Sequence, residues 1–125
     1  MLTLAIALFT VAPIEDWKVI ETAANGVIYS LNLDSVRDLG TYREAWTKTD
    51  YSNVPTGDVS IRRTWEDFDC AGRRMRLRGT ITYGRDGKVM RTLNLDEGKA
   101  EWKGVTPATM GEAKFDAVCS ATIRS

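Results

Sequence analysis

Turn signals cut the chain into short segments, and this punctuation limits the fold more than any other feature. They stand at Asn25-Gly26, Leu39-Gly40, Pro55-Thr56-Gly57, Asp86-Gly87 and Glu97-Gly98. The runs between them are rich in β-branched and aromatic residues, which is the pattern of an antiparallel sheet. Residues 17–22 read as a first strand, and Asn25-Gly26 as a type I′ hairpin turn. In 27–34, Val27, Tyr29, Leu31 and Leu33 alternate with Ile28, Ser30, Asn32 and Asp34. Further strands are expected at 41–51 and 59–69, separated by a polar loop at 52–58.

The segment 74–83 alternates most regularly. Met75, Leu77, Gly79, Ile81 and Tyr83 read as a core face; Arg74, Arg76, Arg78, Thr80 and Thr82 read as a solvent face. The next turn sets the register. A three-residue loop, Arg85-Asp86-Gly87 with Gly87 left-handed, aligns Tyr83 with Val89 and sends Val89, Leu93 and Leu95 inward. Arg91 then also points inward and must snorkel or pair.

After Trp102 the periodicity changes. Thr109 with Glu112 three residues on forms a capping box behind Pro107, and Phe115, Val118, Cys119 and Thr122 recur at helical spacing. The fold class is therefore α+β: a roughly six-stranded, twisted antiparallel sheet with a C-terminal helix packed on it.

At 125 residues the chain is one domain. Residues 1–12 are apolar, of the length of a signal-peptide core and too short to span a bilayer. We therefore expect a signal-peptide-like segment at 1–12, a single domain at 13–125, and no integral membrane insertion. The 17 basic and 17 acidic residues cancel, which argues against nucleic acid as a partner. Histidine is absent, removing the commonest general base and zinc ligand. No metal or other cofactor is expected. Two cysteines, Cys70 and Cys119, suit one disulfide in an oxidising compartment; two buried thiols packing as small hydrophobes are the other reading. A Cys70–Cys119 bond would staple the terminal helix to the sheet.

Candidate chemistry gathers in 65–79, WEDFDCAGRRMRLRG. Ile61 and Trp65 fall on one face of their strand, Phe68 and Cys70 on the other, and a bulge near Glu66-Asp67 would reconcile them. Asp67 and Asp69 share a face about 7 Å apart, a spacing that a carboxylate-dependent hydrolase could use. Adjacent acids on one strand cannot flank a sugar bond from opposite sides, however. Arg74, Arg76 and Arg78 read as an exposed stripe suited to a protein patch or an acidic glycan. The plainer reading is arginines paired across strands with Glu66 and Asp67. The four tryptophans, Trp17, Trp46, Trp65 and Trp102, read as core, with a sugar platform as the alternative for one of them.

The order of these parts resembles the surface-adhesin protein E family of small bacterial envelope proteins. It runs Trp17-Lys-Val, Leu33-Asp-Ser-Val-Arg37, Trp46-Thr-Lys48, Asp69-Cys-Ala-Gly-Arg-Arg74, Tyr83-Gly-Arg-Asp-Gly87, Trp102, then a Pro107-led helix to Cys119. The resemblance implies a six-stranded sheet with a C-terminal helix and a Cys70–Cys119 disulfide. It also implies adhesion to host matrix and serum proteins. The function expected is a non-enzymatic extracytoplasmic binding module, periplasmic or secreted, with a protein or glycan partner. An envelope structural or assembly protein, working as a homodimer or through sheet edges, is the alternative, followed by the hydrolase.

Overall fold

The computed structural model describes residues 15–124; the signal-like segment at 1–12 lies outside them. Eight antiparallel strands form one sheet: β1 Trp17–Thr22, β2 Ile28–Asn32, β3 Arg37–Asp38, β4 Arg43–Asp50, β5 Val59–Asp69, β6 Arg74–Gly84, β7 Val89–Asn94 and β8 Lys103–Gly104. The main path runs β1-β2-β4-β5-β6-β7, with β3 beside β4 and β8 beside β6. These last two strands have two residues each, so six strands carry the sheet, as the segmentation predicts. The helix α1, Met110–Ser120, closes the chain.

The β1–β2 and β6–β7 hairpins use the same loop. At each, a four-residue turn ends in a left-handed glycine: Gly26 N donates to Ala23 O at 2.9 Å, and Gly87 N to Gly84 O at 3.0 Å. Gly26 has φ +91° and Gly87 φ +81°. Asn25 keeps a negative φ, so the expected type I′ turn is corrected to a three-residue loop with a glycine bulge. The second loop aligns Tyr83 with Val89, as expected, although the burial expected to decide it is not found.

The helix packs on one face only. Phe115 and Val118 meet Leu31, Val36, Ala45 and Phe68 there. Thr109 caps it, accepting from Glu112 N at 3.3 Å, while Glu112 Oε1 accepts from Ala108 N at 3.2 Å. Arg43 reaches the other end, donating from Nη1 to Val118 O at 2.9 Å and Ala121 O at 2.8 Å. These are carbonyls at the helix terminus, where intrahelical partners run out; Val118 O also accepts from Ala121 N at 3.3 Å. Cys119 is bonded to Cys70, with Cα atoms 5.7 Å apart. The staple thus joins α1 to the turn that follows β5.

The main contacts of α1 are with β1, β2, β4 and β5, and β7 lies outside them. All six residues of β7 are exposed, Val89 and Met90 by more than half. The expected inward Val89, Leu93 and Arg91 are corrected accordingly, and Leu95 is only half-buried. Register was legible; the cover assumed for this strand is not found among the described residues.

The alternation expected along 74–83 breaks at Arg78. Trp65 pairs with Gly79, but Glu66 pairs with Leu77, so Arg78 is the extra residue. Met75 packs against the helix-side core, whereas Ile81 and Tyr83 lie beyond the bulge beside Trp17 and Arg63 on the opposite face. The irregularity expected near Glu66-Asp67 is at that level of the sheet, but its extra residue is on the neighbouring strand. Phe68 and Trp65 then need no reconciliation: they lie on opposite faces of β5, Phe68 in the helix-side core and Trp65 with Trp46 and Arg78 on the outer face. Gly79 permits the crowding: a Cβ there would lie 2.9 Å from Leu93 O.

The core is small, and the disulfide closes a separation of 49 residues. In the chain-entropy model such a link contributes about 4 kcal/mol. Cys70→Ser or Cys119→Ser should lower the unfolding free energy by about that amount. Urea titration of oxidised protein, reduced protein and each variant measures it; equal midpoints in all of them would contradict the assignment.

Candidate functional site

The face turned away from α1 is organised around Asp67. Antiparallel pairing sets Asp67 opposite Arg76 and Asp69 opposite Arg74, so the acids and arginines meet as cross-strand pairs. Asp67 is 0% exposed, and its Oδ2 accepts from Arg76 Nε at 2.8 Å and Arg78 Nη1 at 3.0 Å. Arg78 shares the face of Arg76 by ordinary alternation, and the bulge after it turns Gly79 to that same face. Arg78 Nε also donates to Leu95 O at 3.2 Å. Arg76 continues through Nη2 to Glu97 Oε1 at 3.0 Å, and Tyr42 donates its hydroxyl to the same oxygen at 3.3 Å.

Aromatic rings cover the guanidinium groups. Arg76 Cζ lies 4.3 Å from the Trp102 ring centroid and 5.0 Å from that of Tyr42. Those two rings meet edge to face at 5.9 Å. Arg74 stacks on Trp102 at 4.8 Å and donates from Nε to Asp69 Oδ2 at 2.7 Å. Arg78 lies 4.8 Å over Trp65, which stacks on Trp46. Further along, Trp17 carries Lys48 at 4.4 Å and Arg63 at 5.5 Å. A planar, weakly hydrated guanidinium suits such stacking.

The expected exposed stripe is therefore corrected. Arg74 is 48% exposed at its side chain, but Arg76 is 8% and Arg78 13%. The pairing with Asp67 is the plainer reading realised; Glu66 instead turns to the helix and bonds Lys114. The tryptophans are corrected too. All four are half-buried on or beside the outer face, and the fully buried core contains none. Glu97, Tyr42 and Trp102 were not singled out for this cluster, since they join it from loops distant in sequence. Gly79, alone in an otherwise side-chain-rich strand, was the available mark of the bulge.

Neither acid stands open to solvent as a free pair: the Oδ1 of Asp67 is buried without a hydrogen-bond partner among the described residues, and its Oδ2 is engaged. Asp67 is sealed beneath two guanidiniums, and Asp69 is engaged by Arg74 and by Gly72 N–H at 2.9 Å. Among the described residues no cluster of acids or cysteines could hold a metal ion, and no helix is long and apolar enough to cross a membrane.

Hydrogen bonds tune the rim. Arg76, then Tyr42, hold Glu97 below its ordinary pKa of 4.5. Arg74 and the Gly72 N–H do the same for Asp69 relative to 3.8. Burial opposes the charge on Arg76, but bonds from Asp67 and Glu97 outweigh it and raise its pKa. Burial, then the Asp67 and Glu97 charges, raise that of Tyr42.

Two predictions follow from the cluster. Asp67→Asn leaves two largely buried arginines short of a counter-charge, and should cost about 3–5 kcal/mol by denaturant titration; a cost below 1 kcal/mol would mean the pair is not the organiser. A depressed folded-state carboxylate stabilises above its unfolded pKa, and that contribution is lost as pH falls through the folded value. Tryptophan fluorescence should accordingly hold from neutral pH down to the ordinary carboxylate range and change below it. Glu97→Gln should remove part of that change; an identical profile would exclude Glu97 from it.

Comparison with known proteins is consistent with this architecture. Residues 17–120 match the family model described as surface-adhesin protein E. The fold is similar to that of Haemophilus influenzae protein E in its crystal form II, with a TM-score of 0.57 and 15% sequence identity. The alignment covers 87% of this chain and 94% of that one. No curated protein sequence matches.

Proposed function

This chain belongs to the surface-adhesin protein E family, and from that premise we propose that it is a non-enzymatic, extracytoplasmic binding module, periplasmic or secreted. Its contact surface is the outer sheet face around Arg74 and Trp102, and its partner is a protein. The observation that carries this reading is the stack Arg74–Trp102–Arg76–Tyr42. Tryptophan, tyrosine and arginine are the residues that concentrate binding energy at protein interfaces. Here they are held rigid by ion pairs, which lowers the ordering cost of association.

Charge supports a protein over an acidic glycan. Arg76 and Arg78 share Asp67, Arg76 also meets Glu97, and Arg74 meets Asp69. A surface so compensated has little excess charge with which to hold a polyanion. The disulfide favours an oxidising compartment. An assembly role is the second reading, and the free edge of β7 favours it: Val89, Met90 and Leu93 are exposed on an outermost strand. Such an edge can pair with another chain. Mass that rises with protein concentration, and stops rising when Met90 is replaced by Lys, would favour assembly over a monomeric binder.

The contact surface is tested with immobilised extracellular-matrix proteins at low and moderate salt. Trp102→Ala should weaken binding about tenfold or more, and Arg74→Ser should weaken it with little change in salt dependence. Replacing all three arginines would confound the result, since Arg76 and Arg78 also hold the fold. Unchanged affinity in both single variants would overturn the assignment.

A further inference from the structure

Outside that contact surface, the outer face holds a second feature. β2 and β3 both pair with β4, and the short 3-10 helix Leu33–Ser35 between them interrupts the row opposite Trp46. Ser35 bridges the break: its Oγ accepts from Trp46 N at 2.9 Å and donates to Asn32 O at 2.7 Å. A cavity of about 380 Å³ opens there, lined by Asp34, Ser35, Arg37, Glu44, Trp46 and Trp65. Trp46 and Trp65 are cross-strand partners stacked with centroids 6.1 Å apart and planes inclined by 22°. Glu44 sits beside them. Its Oε2 accepts from Trp65 Nε1 at 3.2 Å, and its Oε1 pairs with Arg37 Nε at 3.3 Å. Arg37 is 71% exposed, so its terminal N–H groups remain open to solvent.

We infer that this cavity is a subsite for one neutral hexopyranose unit of a glycan. A pyranose ring has an apolar C–H face bordered by hydroxyls. The indole pair offers a matching apolar, electron-rich wall, and indoles attract the positive edges of C–H bonds. The hydroxyls need acceptors and donors side by side, which Asp34, Glu44 and Arg37 supply at the rim. The volume lies within the range of small-molecule sites, and an aromatic wall with a few convergent polar groups is their usual composition. Neutrality of the sugar follows from the local charges. Arg37 is balanced by Glu44, and Asp34 shares Arg124 with Asp16, each at 3.0 Å, so no positive charge is left in excess to hold an anionic sugar. The Trp65–Glu44 bond and Arg78 behind Trp65 keep the wall in place before binding. The site uses none of Arg74, Trp102 or Tyr42, and so stands independently of the protein-contact reading.

Indole N–H resonances of ¹⁵N-labelled protein, titrated with methyl β-glucopyranoside and methyl β-galactopyranoside, test it. The expected result is saturable binding in the millimolar range, with shifts confined to Trp46 and Trp65. Trp46→Ala and Glu44→Gln should each weaken it about tenfold. Should Trp46→Ala fail to fold, the exposed Arg37→Ala carries the test with the same expectation. No shift with either glycoside, shifts at Trp17 or Trp102 instead, or binding of an anionic sugar alone would overturn the inference. None of these results would move the matrix-protein measurement on Trp102→Ala, so the two readings fail separately.

Discussion

A single carboxylate without solvent contact organises the outer half of this protein. Asp67 allows Arg76 and Arg78 to lie against the sheet instead of extending into water. Removing ions from water costs several kcal/mol each unless geometry and further bonds compensate. Compensation here comes from Glu97 and from the rings of Tyr42, Trp102 and Trp65. The aromatic residues in turn are held by the arginines beneath or above them. Position, charge and ring packing on this face are therefore one coupled arrangement, and a change at Asp67 reaches residues more than thirty positions away in sequence.

The two faces of the sheet solve different problems. On the helix side, Leu31, Val36, Ala45, Phe68, Phe115 and Val118 form an ordinary apolar core, small enough that a covalent staple matters. On the other side no layer of secondary structure among the described residues covers the sheet. Long amphipathic side chains cover it instead, their stems and rings burying backbone and their polar ends meeting water. This explains how a sheet with one helix can keep four tryptophans partly wet without a second core. It also explains why that face offers features a partner can read.

Most of the fold was legible because strands and turns declare themselves locally. The range 59–69 for β5, the cap at Thr109 and the alignment of Tyr83 with Val89 all follow from short-range pattern. The failures share a cause, which is that facing is decided by what lies opposite. Arg78 switches the alternation of β6 because β5 has no residue to pair with it. Leu93 is exposed because α1 packs chiefly against β1, β2, β4 and β5, whereas Val89, opposite Tyr83, lies on the face away from the helix. The site was half legible: Asp67, Arg74, Arg76 and Arg78 sit within twelve residues of one another, whereas Tyr42, Glu97 and Trp102 arrive through topology. Nothing in the local pattern around those three assigns them to the arginine cluster.

The Cys70–Cys119 bond has a mechanical meaning as well as a thermodynamic one. Tension entering before β1 and leaving after α1 would pass through the bond, bypassing the 49-residue span between the cysteines. That span holds β6, β7, β8 and most of the helix, including Arg74, Arg76, Arg78 and Trp102. At the reach of an extended chain, roughly 170 Å of contour is withheld from stretching. Unfolding under load would peel β1 to β5 first, and the part carrying the arginine–tryptophan stack would be shielded from the pull. The price is that this shielded part loses Asp67 once β5 is drawn away, so shear on a bound partner would be felt as a loosening of the face that holds it.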